Sequence, residues 1–107
     1  MEITAEQLKE KIKNGDKVVI DFSTNWCGPC KIMKPTFEKV SQQLKQENYG
    51  VELYTFDVEK HQDYAVSLGI RSVPTIKSFS NGVEVYSKVG IHPEQQIKQL
   101  ATQLLNG

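Results

Sequence analysis

The sequence predicts an α/β fold in which helices cover both faces of a central mixed β-sheet. Helix-like and strand-like segments alternate along the chain, as in layered α/β domains. The segment KVVIDF (17–22) is apolar on both faces apart from Asp21, which is typical of a strand covered on two sides by helices. The dipeptide NG at 81–82, set between two strand-like segments, predicts a tight hairpin. The sheet should therefore contain both parallel and antiparallel neighbours.

The first half of the chain predicts a helix, a strand and a second helix. TAEQ (4–7) has the spacing of a capping box, and NGD (14–16) should end the helix that it starts. KVVIDF follows as the first strand. One face of the next helix is marked by apolar residues at spacings of four, three and four, namely Met33, Phe37, Val40 and Leu44. Pro35 is expected to kink this helix near its start. Five polar residues lie off the apolar face and are expected in solvent, namely Glu38, Lys39, Gln42, Gln43 and Lys45.

The second half predicts a strand, a short helix, a hairpin and a last helix. VELYTFDV (51–58) is strand-like, and HQDYAVSLG (61–69) is a short helix that Gly69 should stop. PTIKSFS (74–80) and VEVYSKV (83–89) are the two hairpin strands. HPEQQIKQLATQLL (92–105) closes the chain, with Pro93 near its first turn and one apolar face formed by Ile97, Leu100, Ala101 and Leu104.

Composition indicates one ordinary globular domain over residues 1–107. Thirteen basic and thirteen acidic residues balance, so no global field is expected to attract nucleic acid or an anionic membrane. The N-terminus lacks the basic-then-apolar layout of a signal peptide, and no apolar run approaches the roughly 20 residues of a membrane span. We therefore expect a cytoplasmic protein whose partners are selected by local surface features.

The two cysteines of the chain, Cys27 and Cys30, lie in STNWCGPCKIMKP (23–35) at a strand-to-helix junction. This spacing can bring the two sulfurs within bridging distance. Unpaired N–H groups at the helix start should stabilise a thiolate on Cys27, which is expected at the exposed first turn, whereas Cys30 lies a turn deeper. Gly28 permits close approach of a partner's backbone, and Pro29 needs no amide hydrogen at this position.

Three other roles for the cysteines are less favoured than redox exchange. A structural disulfide across so short a loop would contribute little stability. Zinc would need two further ligands, but the two histidines, His61 and His92, are 31 positions apart. Trp-Cys-Gly-Pro-Cys at a strand end is also a poor way to fill a core. We accordingly expect a reversible dithiol, with no metal and no cofactor.

Two segments resemble the thioredoxin family. VVIDFSTNWCGPCKIMKP (18–35) resembles the active-site segment of that family, and GIRSVPTIKSFSNG (69–82) resembles its proline-bearing loop, strand and hairpin. The likeness runs along nearly the whole chain, and the first motif is highly specific. It implies the thioredoxin fold and a protein-disulfide reductase that works by dithiol–disulfide exchange.

The resemblance also implies roles for residues around the sulfurs. Cys27 would be the attacking thiolate and Cys30 the resolving thiol. Asp21 would move a proton to or from Cys30, although a carboxylate satisfied at a strand end is the alternative. Trp26 would shape the surface beside the sulfurs, although packing into the core is the alternative.

Two further positions belong to the implied substrate surface. Val73-Pro74 resembles the family's cis-proline site, where the backbone of the preceding residue pairs with the substrate chain; a trans proline at a strand start is the alternative. Gly90, which has no side chain, would leave room at the edge of this surface for a docking partner; an ordinary turn glycine is the alternative.

The implied partners are proteins. A thioredoxin reductase would donate electrons, and the clients would be disulfide-containing proteins such as peroxiredoxin, ribonucleotide reductase or methionine sulfoxide reductase, with the chain acting as a monomer. A thiol oxidase or isomerase with a more oxidising couple is the rival enzyme, although Gly-Pro between the cysteines favours the reductant. A binding subunit that docks partners on Trp26 and Val73-Pro74 is a rival from another class.

Four features depart from the family pattern. Only MEI precedes the first helix, so the family's first strand should be very short or absent. Ser23 stands where many bacterial members have tryptophan. Thr55 stands where bacterial members have a lysine that pairs with the buried aspartate, so Asp21 should titrate differently. Lys77 lies inside a strand otherwise destined for the core, and its stem is expected to carry the ammonium toward solvent.

Overall fold

A computed structural model describes residues 1–107, and it contains four helices and four strands. In chain order these are α1 (Ala5–Lys13), β1 (Val18–Ser23), α2 (Gly28–Gln46), β2 (Glu52–Asp57), α3 (Gln62–Ser67), β3 (Thr75–Ser80), β4 (Val83–Val89) and α4 (Glu94–Asn106). This is the predicted succession of elements. None of the helices is both long enough and apolar enough to cross a membrane.

The four strands form one mixed sheet in the order β2-β1-β3-β4. β1 runs parallel to β2 and antiparallel to β3, and β3 runs antiparallel to β4. Asn81 and Gly82, which join β3 to β4, both have positive φ, at 56° and 83°. A two-residue hairpin turn with positive φ at both positions matches the strand twist and favours Asn-Gly, so the predicted hairpin is confirmed.

The family's first strand is reduced to a single parallel bridge between Glu2 and Thr55. The Ile3 amide donates to the Thr55 carbonyl at 2.8 Å, and the Thr55 amide donates to the Met1 carbonyl at 3.0 Å. Ile3 is buried, so its side chain holds this short segment against the sheet. The expected very short or absent first strand is confirmed.

Apolar clusters lie on both faces of the sheet, as expected for a strand apolar on both sides. On the face covered by α2 and α4, twelve residues pack together: Val19, Met33, Phe37, Val40, Leu44, Val51, Leu53, Ile76, Ile97, Leu100, Ala101 and Leu104. On the face covered by α1 and α3, nine pack together: Ile3, Ala5, Leu8, Val18, Ile20, Phe22, Phe56, Ala65 and Phe79. Burying each larger side chain contributes about 1.5–3 kcal/mol. The apolar faces predicted for α2 and α4 are confirmed.

Residues at the helix ends show how α1 and α2 begin. The Thr4 side chain caps α1 and the Gln7 side chain returns the bond, which is the predicted capping box. α2 continues from Gly28 to Gln46 through Pro35, whose missing N–H leaves the Lys31 carbonyl without its usual intrahelical donor. The start of α2 follows β1 by a four-residue loop, and this junction carries both cysteines.

Candidate active site

The two cysteines meet where β1 gives way to α2. Cys27 is the N-cap of α2, and Cys30 lies in its first turn. The Cα atoms are 5.2 Å apart and the two sulfurs form a disulfide. The predicted bridging of Cys27 and Cys30 is therefore observed, and the pair can exist as a disulfide or, after taking up two electrons and two protons, as a dithiol.

The start of α2 favours negative charge at the sulfur of Cys27. The backbone N–H of Cys30 donates to Cys27 Sγ at 3.2 Å, in the position of a helix-capping bond. No acidic residue lies in the first turn to oppose this effect. Because helix N-termini carry partial positive charge, the reduced form should hold a thiolate on Cys27 in preference to Cys30.

Cys27 is less accessible than its place at the first helical turn suggests. It is 7% exposed and Cys30 is 3% exposed, so the expected order of accessibility holds but the expected open position of Cys27 is wrong. The loop before β3 contributes to this burial, because it places the Val73 carbonyl oxygen 3.8 Å from Cys27 Sγ. A client sulfur that reaches Cys27 therefore also comes close to the Val73 backbone.

The loop before β3 supplies backbone groups beside the sulfurs. The Val73-Pro74 peptide bond is cis, as the resemblance implied. The Gly90 amide donates to the Pro74 carbonyl at 2.8 Å, which ties this loop to the end of β4. Gly90 has a φ of 112°, and a Cβ built there would meet no atom within 4 Å. A φ of this value favours glycine over any residue with a side chain, and the space where a side chain would lie is open.

Trp26 lies on the surface. Its side chain is 69% exposed, which excludes packing into the core, and its Nε1 donates to Glu59 Oε1 at 2.7 Å. Asp57 Oδ1 in turn accepts the backbone N–H groups of Glu59 and Lys60, at 2.9 and 3.3 Å. The Asp57 side chain thus forms a turn that positions Glu59 beside the indole. The sequence did not predict this contact, although an aspartate at the end of a strand is a known signal for a turn of this kind.

Gly28 and Pro29 form the outer surface of the first turn of α2. Both residues are exposed, and a Cβ at Gly28 would meet no atom within 4 Å. Pro29 occupies a helix-start position where a missing N–H breaks no intrahelical bond. The turn that carries the disulfide is thereby open on its solvent side.

Asp21 is a buried carboxylate, as the sequence predicted. It is 1% exposed, and neither carboxylate oxygen has a hydrogen-bond partner. No other protein group satisfies the carboxylate, as the alternative of a satisfied strand-end carboxylate would require. Asp21 shares its sheet face with Val19, which packs with Met33 of α2. The charges of Lys34 and Glu38 act on Asp21, so its carboxyl group lies within reach of α2, the helix that begins with the two cysteines.

Burial raises the pKa of Asp21 to about 7. The positive charge of Lys34 opposes this rise, and the negative charge of Glu38 adds to it. These two residues stand four apart on α2, one above the other, and sequence analysis missed both. Glu38 is half-buried, so the expectation that it lies in solvent is wrong.

Thr55 and Lys77 do not provide the cation that Asp21 lacks. Thr55 is paired with Asp21 in the β1–β2 register and carries no charge. Lys77 is paired with Ile20, so its side chain lies on the opposite face of the sheet from Asp21. Its ammonium donates to Glu84 Oε1 at 2.6 Å and to Ser87 Oγ at 3.1 Å, both on β4.

Comparison with known proteins agrees with this geometry. The Thioredoxin family model matches residues 1–103. A thioredoxin from Malassezia sympodialis is 41% identical over 91 residues, covering 84% of each chain. Thioredoxin-1 of Saccharomyces cerevisiae is 38% identical over 90 residues, again with 84% of each chain covered.

Solved structures show the same fold. The crystal structure of the Malassezia sympodialis thioredoxin superposes with a TM-score of 0.81 at 34% identity, covering 95% of this chain and 86% of the other. The X-ray structure of Fasciola hepatica thioredoxin superposes with a TM-score of 0.82 at 27% identity, covering 97% and 99%. The chain therefore belongs to the thioredoxin family, and it is a thiol–disulfide oxidoreductase with the Cys27–Cys30 pair as its redox-active centre.

Proposed function

We propose that the protein reduces disulfide bonds of client proteins, with Cys27 as the attacking thiolate and Cys30 as the resolving thiol. The observation that carries this assignment is the bond from the Cys30 amide to Cys27 Sγ at the start of α2. This bond lowers the free energy of negative charge on Cys27. No backbone N–H donates to the sulfur of Cys30 in the same way. The more accessible of the two sulfurs is also Cys27.

The exchange proceeds in two displacement steps. The Cys27 thiolate attacks one sulfur of the client disulfide, which forms a mixed disulfide and releases the other client sulfur as a thiolate. Cys30 then loses its proton and attacks Cys27 Sγ, which releases the second client thiolate and leaves the Cys27–Cys30 disulfide. Two electrons pass from the dithiol to the client, and the two released thiolates take up protons.

Asp21 is proposed as the group that takes the proton of Cys30 in the second step. Its place within reach of Lys34 and Glu38 on α2 and its pKa of about 7 support this role, because a group that titrates near neutral pH can both accept and return a proton. The proton leaves Asp21 when the carboxyl group returns it to the released sulfur or to solvent.

The client surface is proposed to consist of Trp26, Gly28, Pro29, Val73, Pro74 and Gly90. Two observations support it: Val73 lies beside Cys27, and Gly90 is bonded to Pro74 with open space above it. The Val73 backbone would pair with an extended client segment that crosses the sulfurs. We also propose that the protein acts as a monomer, with one domain over residues 1–107.

Disulfide-containing substrate proteins and a reductase are the general partner classes of the thioredoxin family. For this chain we propose a thioredoxin reductase as electron donor and clients such as peroxiredoxin, ribonucleotide reductase or methionine sulfoxide reductase. We also propose that it works in the cytoplasm, where reducing conditions maintain a dithiol.

Single-cysteine variants test the assignment. Reduced Cys30→Ser should form a stable mixed disulfide with oxidised insulin, because attack by Cys27 remains and release does not occur. Cys27→Ser should form much less, since its remaining thiol is nearly buried and has no capping donor. Non-reducing electrophoresis and mass spectrometry quantify both adducts. Trapping by Cys27→Ser instead of Cys30→Ser would reverse the assignment.

A redox titration separates a reductant from an oxidase or isomerase. The purified protein is equilibrated with glutathione buffers, and the dithiol fraction is measured by alkylation. A couple more reducing than glutathione supports the proposed reductase, and one as oxidising as disulfide isomerases contradicts it.

A further inference from the structure

His92, in the segment between β4 and α4, is buried and has both ring nitrogens engaged. Its Nδ1 lies 2.8 Å from the carbonyl oxygen of Gly90, and its Nε2 lies 3.0 Å from the hydroxyl of Tyr86. Its backbone N–H donates to the thioether sulfur of Met33 on α2 at 3.2 Å. None of these contacts is used by the redox chemistry described above, yet they lie next to the client surface.

The direction of each bond follows from the partner. A carbonyl oxygen only accepts, so Nδ1 of His92 must carry the hydrogen that is donated to Gly90. In the neutral ring Nε2 is then an acceptor, and the Tyr86 hydroxyl donates to it. The Gln96 amide donates to the same hydroxyl at 3.4 Å. The network is fully matched only when His92 is neutral and protonated at Nδ1.

The network continues from His92 to the sulfurs through Gly90. The carbonyl of Gly90 is held by the imidazole, and its N–H is held by the Pro74 carbonyl at 2.8 Å. Val73, which precedes Pro74, lies 3.8 Å from Cys27 Sγ through its carbonyl oxygen. Gly90 has no side chain and a φ of 112°, so backbone bonds must define its conformation.

We propose that His92 is a positioning residue for client binding, because its ring fixes Gly90 and, through Gly90, the Val73-Pro74 backbone that pairs with a client segment. This inference rests on the proposed reduction of protein disulfides. It assigns His92 no contact with the sulfurs and no proton transfer. It requires that loss of the ring weakens binding of extended protein substrates while the intrinsic reactivity of Cys27 stays unchanged.

The surroundings of the ring keep it neutral. Burial lowers the pKa of His92, the bond to the Gly90 carbonyl opposes this, and the positive charge of Lys88 on β4 lowers the pKa further. α2 presents the uncharged thioether of Met33, and α4 presents the uncharged amide of Gln96. Protonation at lower pH turns Nε2 into a donor, so that it can no longer accept from Tyr86. The bond from Nδ1 to the Gly90 carbonyl remains in the protonated ring, so client binding should change little as pH falls.

Two substitutions at His92 distinguish the bond to Gly90 from the bond to Tyr86. His92→Leu removes both side-chain bonds, whereas His92→Asn keeps an amide N–H near the position of Nδ1. Reduction of insulin should show a KM raised about fivefold or more in His92→Leu, the equivalent of one lost hydrogen bond, and near-parental in His92→Asn. The rate constant of each reduced variant with the small disulfide dithiobis-nitrobenzoate should match the parent, because this substrate needs no backbone pairing.

Tyr86→Phe supplies a milder test of the same bond to Gly90. It removes only the hydroxyl that donates to Nε2, and Nδ1 still donates to the Gly90 carbonyl, so KM for insulin should rise less than in His92→Leu. This milder variant keeps the test valid should His92→Leu fail to fold.

Leu104→Ala is the matched control for lost stability, since Leu104 lies on the apolar face of α4, in the core and outside the network. It should lower the denaturation midpoint and leave KM for insulin unchanged. An unchanged KM in His92→Leu, no recovery in His92→Asn, or an equal rise in Leu104→Ala would overturn the inference. Failure of the parent itself to reduce insulin would instead refute the proposed function.

Discussion

Asp21 and Lys77 are both charged residues buried in neighbouring strands of one sheet, and their surroundings differ completely. Lys77 is 5% exposed, and its ammonium donates to Glu84 at 2.6 Å and to Ser87 at 3.1 Å. Asp21 is 1% exposed, and neither of its oxygens has a partner. The charge of Lys77 is paired with Glu84 on β4. It does not neutralise Asp21, because the two side chains lie on opposite faces of the sheet.

This difference separates a structural charge from one that can work chemically. The fold offsets the desolvation of Lys77 with an ion pair whose other member, Glu84, is still partly in water. The charge of Lys34 offsets only part of the desolvation of Asp21, so its pKa rises to about 7 and its proton can be exchanged near neutral pH. A buried carboxyl group that no protein hydrogen bond satisfies, and that titrates near neutral pH, is the stronger candidate for proton transfer.

The largest expected effect is on the pH dependence of stability when Asp21 is replaced. A folded pKa of about 7, raised from the ordinary value of about 4, means that the favourable contribution of Asp21 is complete below about pH 4 and is lost as pH rises through 7. The parent should lose about 4 kcal/mol of unfolding free energy over this range relative to Asp21→Asn. Urea unfolding of both oxidised proteins from pH 4 to 8 measures this difference. Parallel stability curves would show that Asp21 is not a raised, unpaired carboxyl group.

The same substitution should slow the resolving step. Asp21→Asn cannot accept the Cys30 proton, so release of reduced client from the mixed disulfide should fall about tenfold or more near neutral pH. Formation of the mixed disulfide should change much less, since Cys27 reacts as a thiolate. Stopped-flow fluorescence with a protein disulfide resolves the two steps. Release that matches the parent at every pH would remove Asp21 from the mechanism.

A smaller loss is expected when the partner of Lys77 is changed. Glu84→Gln leaves the buried ammonium with neutral oxygen acceptors, which should cost about 1–2 kcal/mol of stability because Glu84 is partly exposed. Glu10→Gln is the control, since Glu10 is an exposed residue with no ion pair on α1. Denaturant unfolding at neutral pH compares the two. An equal effect of both substitutions would mean that the Lys77–Glu84 pair contributes nothing beyond a surface charge.

Replacing Lys77 itself should have less effect than removing its partner. Lys77→Met substitutes an apolar chain of similar length and leaves Glu84 in contact with water, so stability should stay within about 1 kcal/mol of the parent or rise. Reduction of insulin should be unchanged, because Lys77 and Asp21 lie on different faces. A shift in the pKa of Asp21 in this variant would show that the two buried charges interact across the sheet.

The smallest effects are expected at the two residues that tune Asp21. Lys34→Met should raise the pKa of Asp21 and Glu38→Gln should lower it, each by less than about one unit. Lys31→Met is the control, as Lys31 is an exposed lysine on the same helix that does not affect Asp21. Carbon-13 NMR of the Asp21 carboxyl carbon follows the titration directly. Shifts in the opposite directions would exclude electrostatic tuning by α2.

Local patterns in the sequence predicted the features that depend on neighbouring residues. The apolar run in β1 predicted the burial of Asp21, and Asn-Gly predicted the hairpin because both residues adopt positive φ there. The helical repeat of α2 predicted its apolar face but placed Glu38 in solvent. The borders of an apolar face depend on what packs beside it, and periodicity alone does not contain that information.

Contacts between distant segments could not be predicted from local patterns. The partner of Lys77 depends on the strand register, which shifts between Ser78 and Phe79 and brings Glu84 within reach. The cover over Cys27 comes from Val73, 46 residues later in the chain. The resemblance to a family supplied this second relation, but no motif pointed to the Trp26–Glu59 bond or to the network around His92.

The register shift in the β3–β4 ladder also affects how the protein behaves at high concentration. β4 is an edge strand that exposes Val83, Val85 and Val89, and such an apolar edge can template the addition of strands from other molecules. The shift leaves Val85 without a partner in β3 and divides the edge into two short stretches. A bulged, more strongly twisted edge that also carries Lys88 is a poor match for a flat incoming strand. The irregularity thus disfavours edge-to-edge aggregation while the apolar residues stay at the surface.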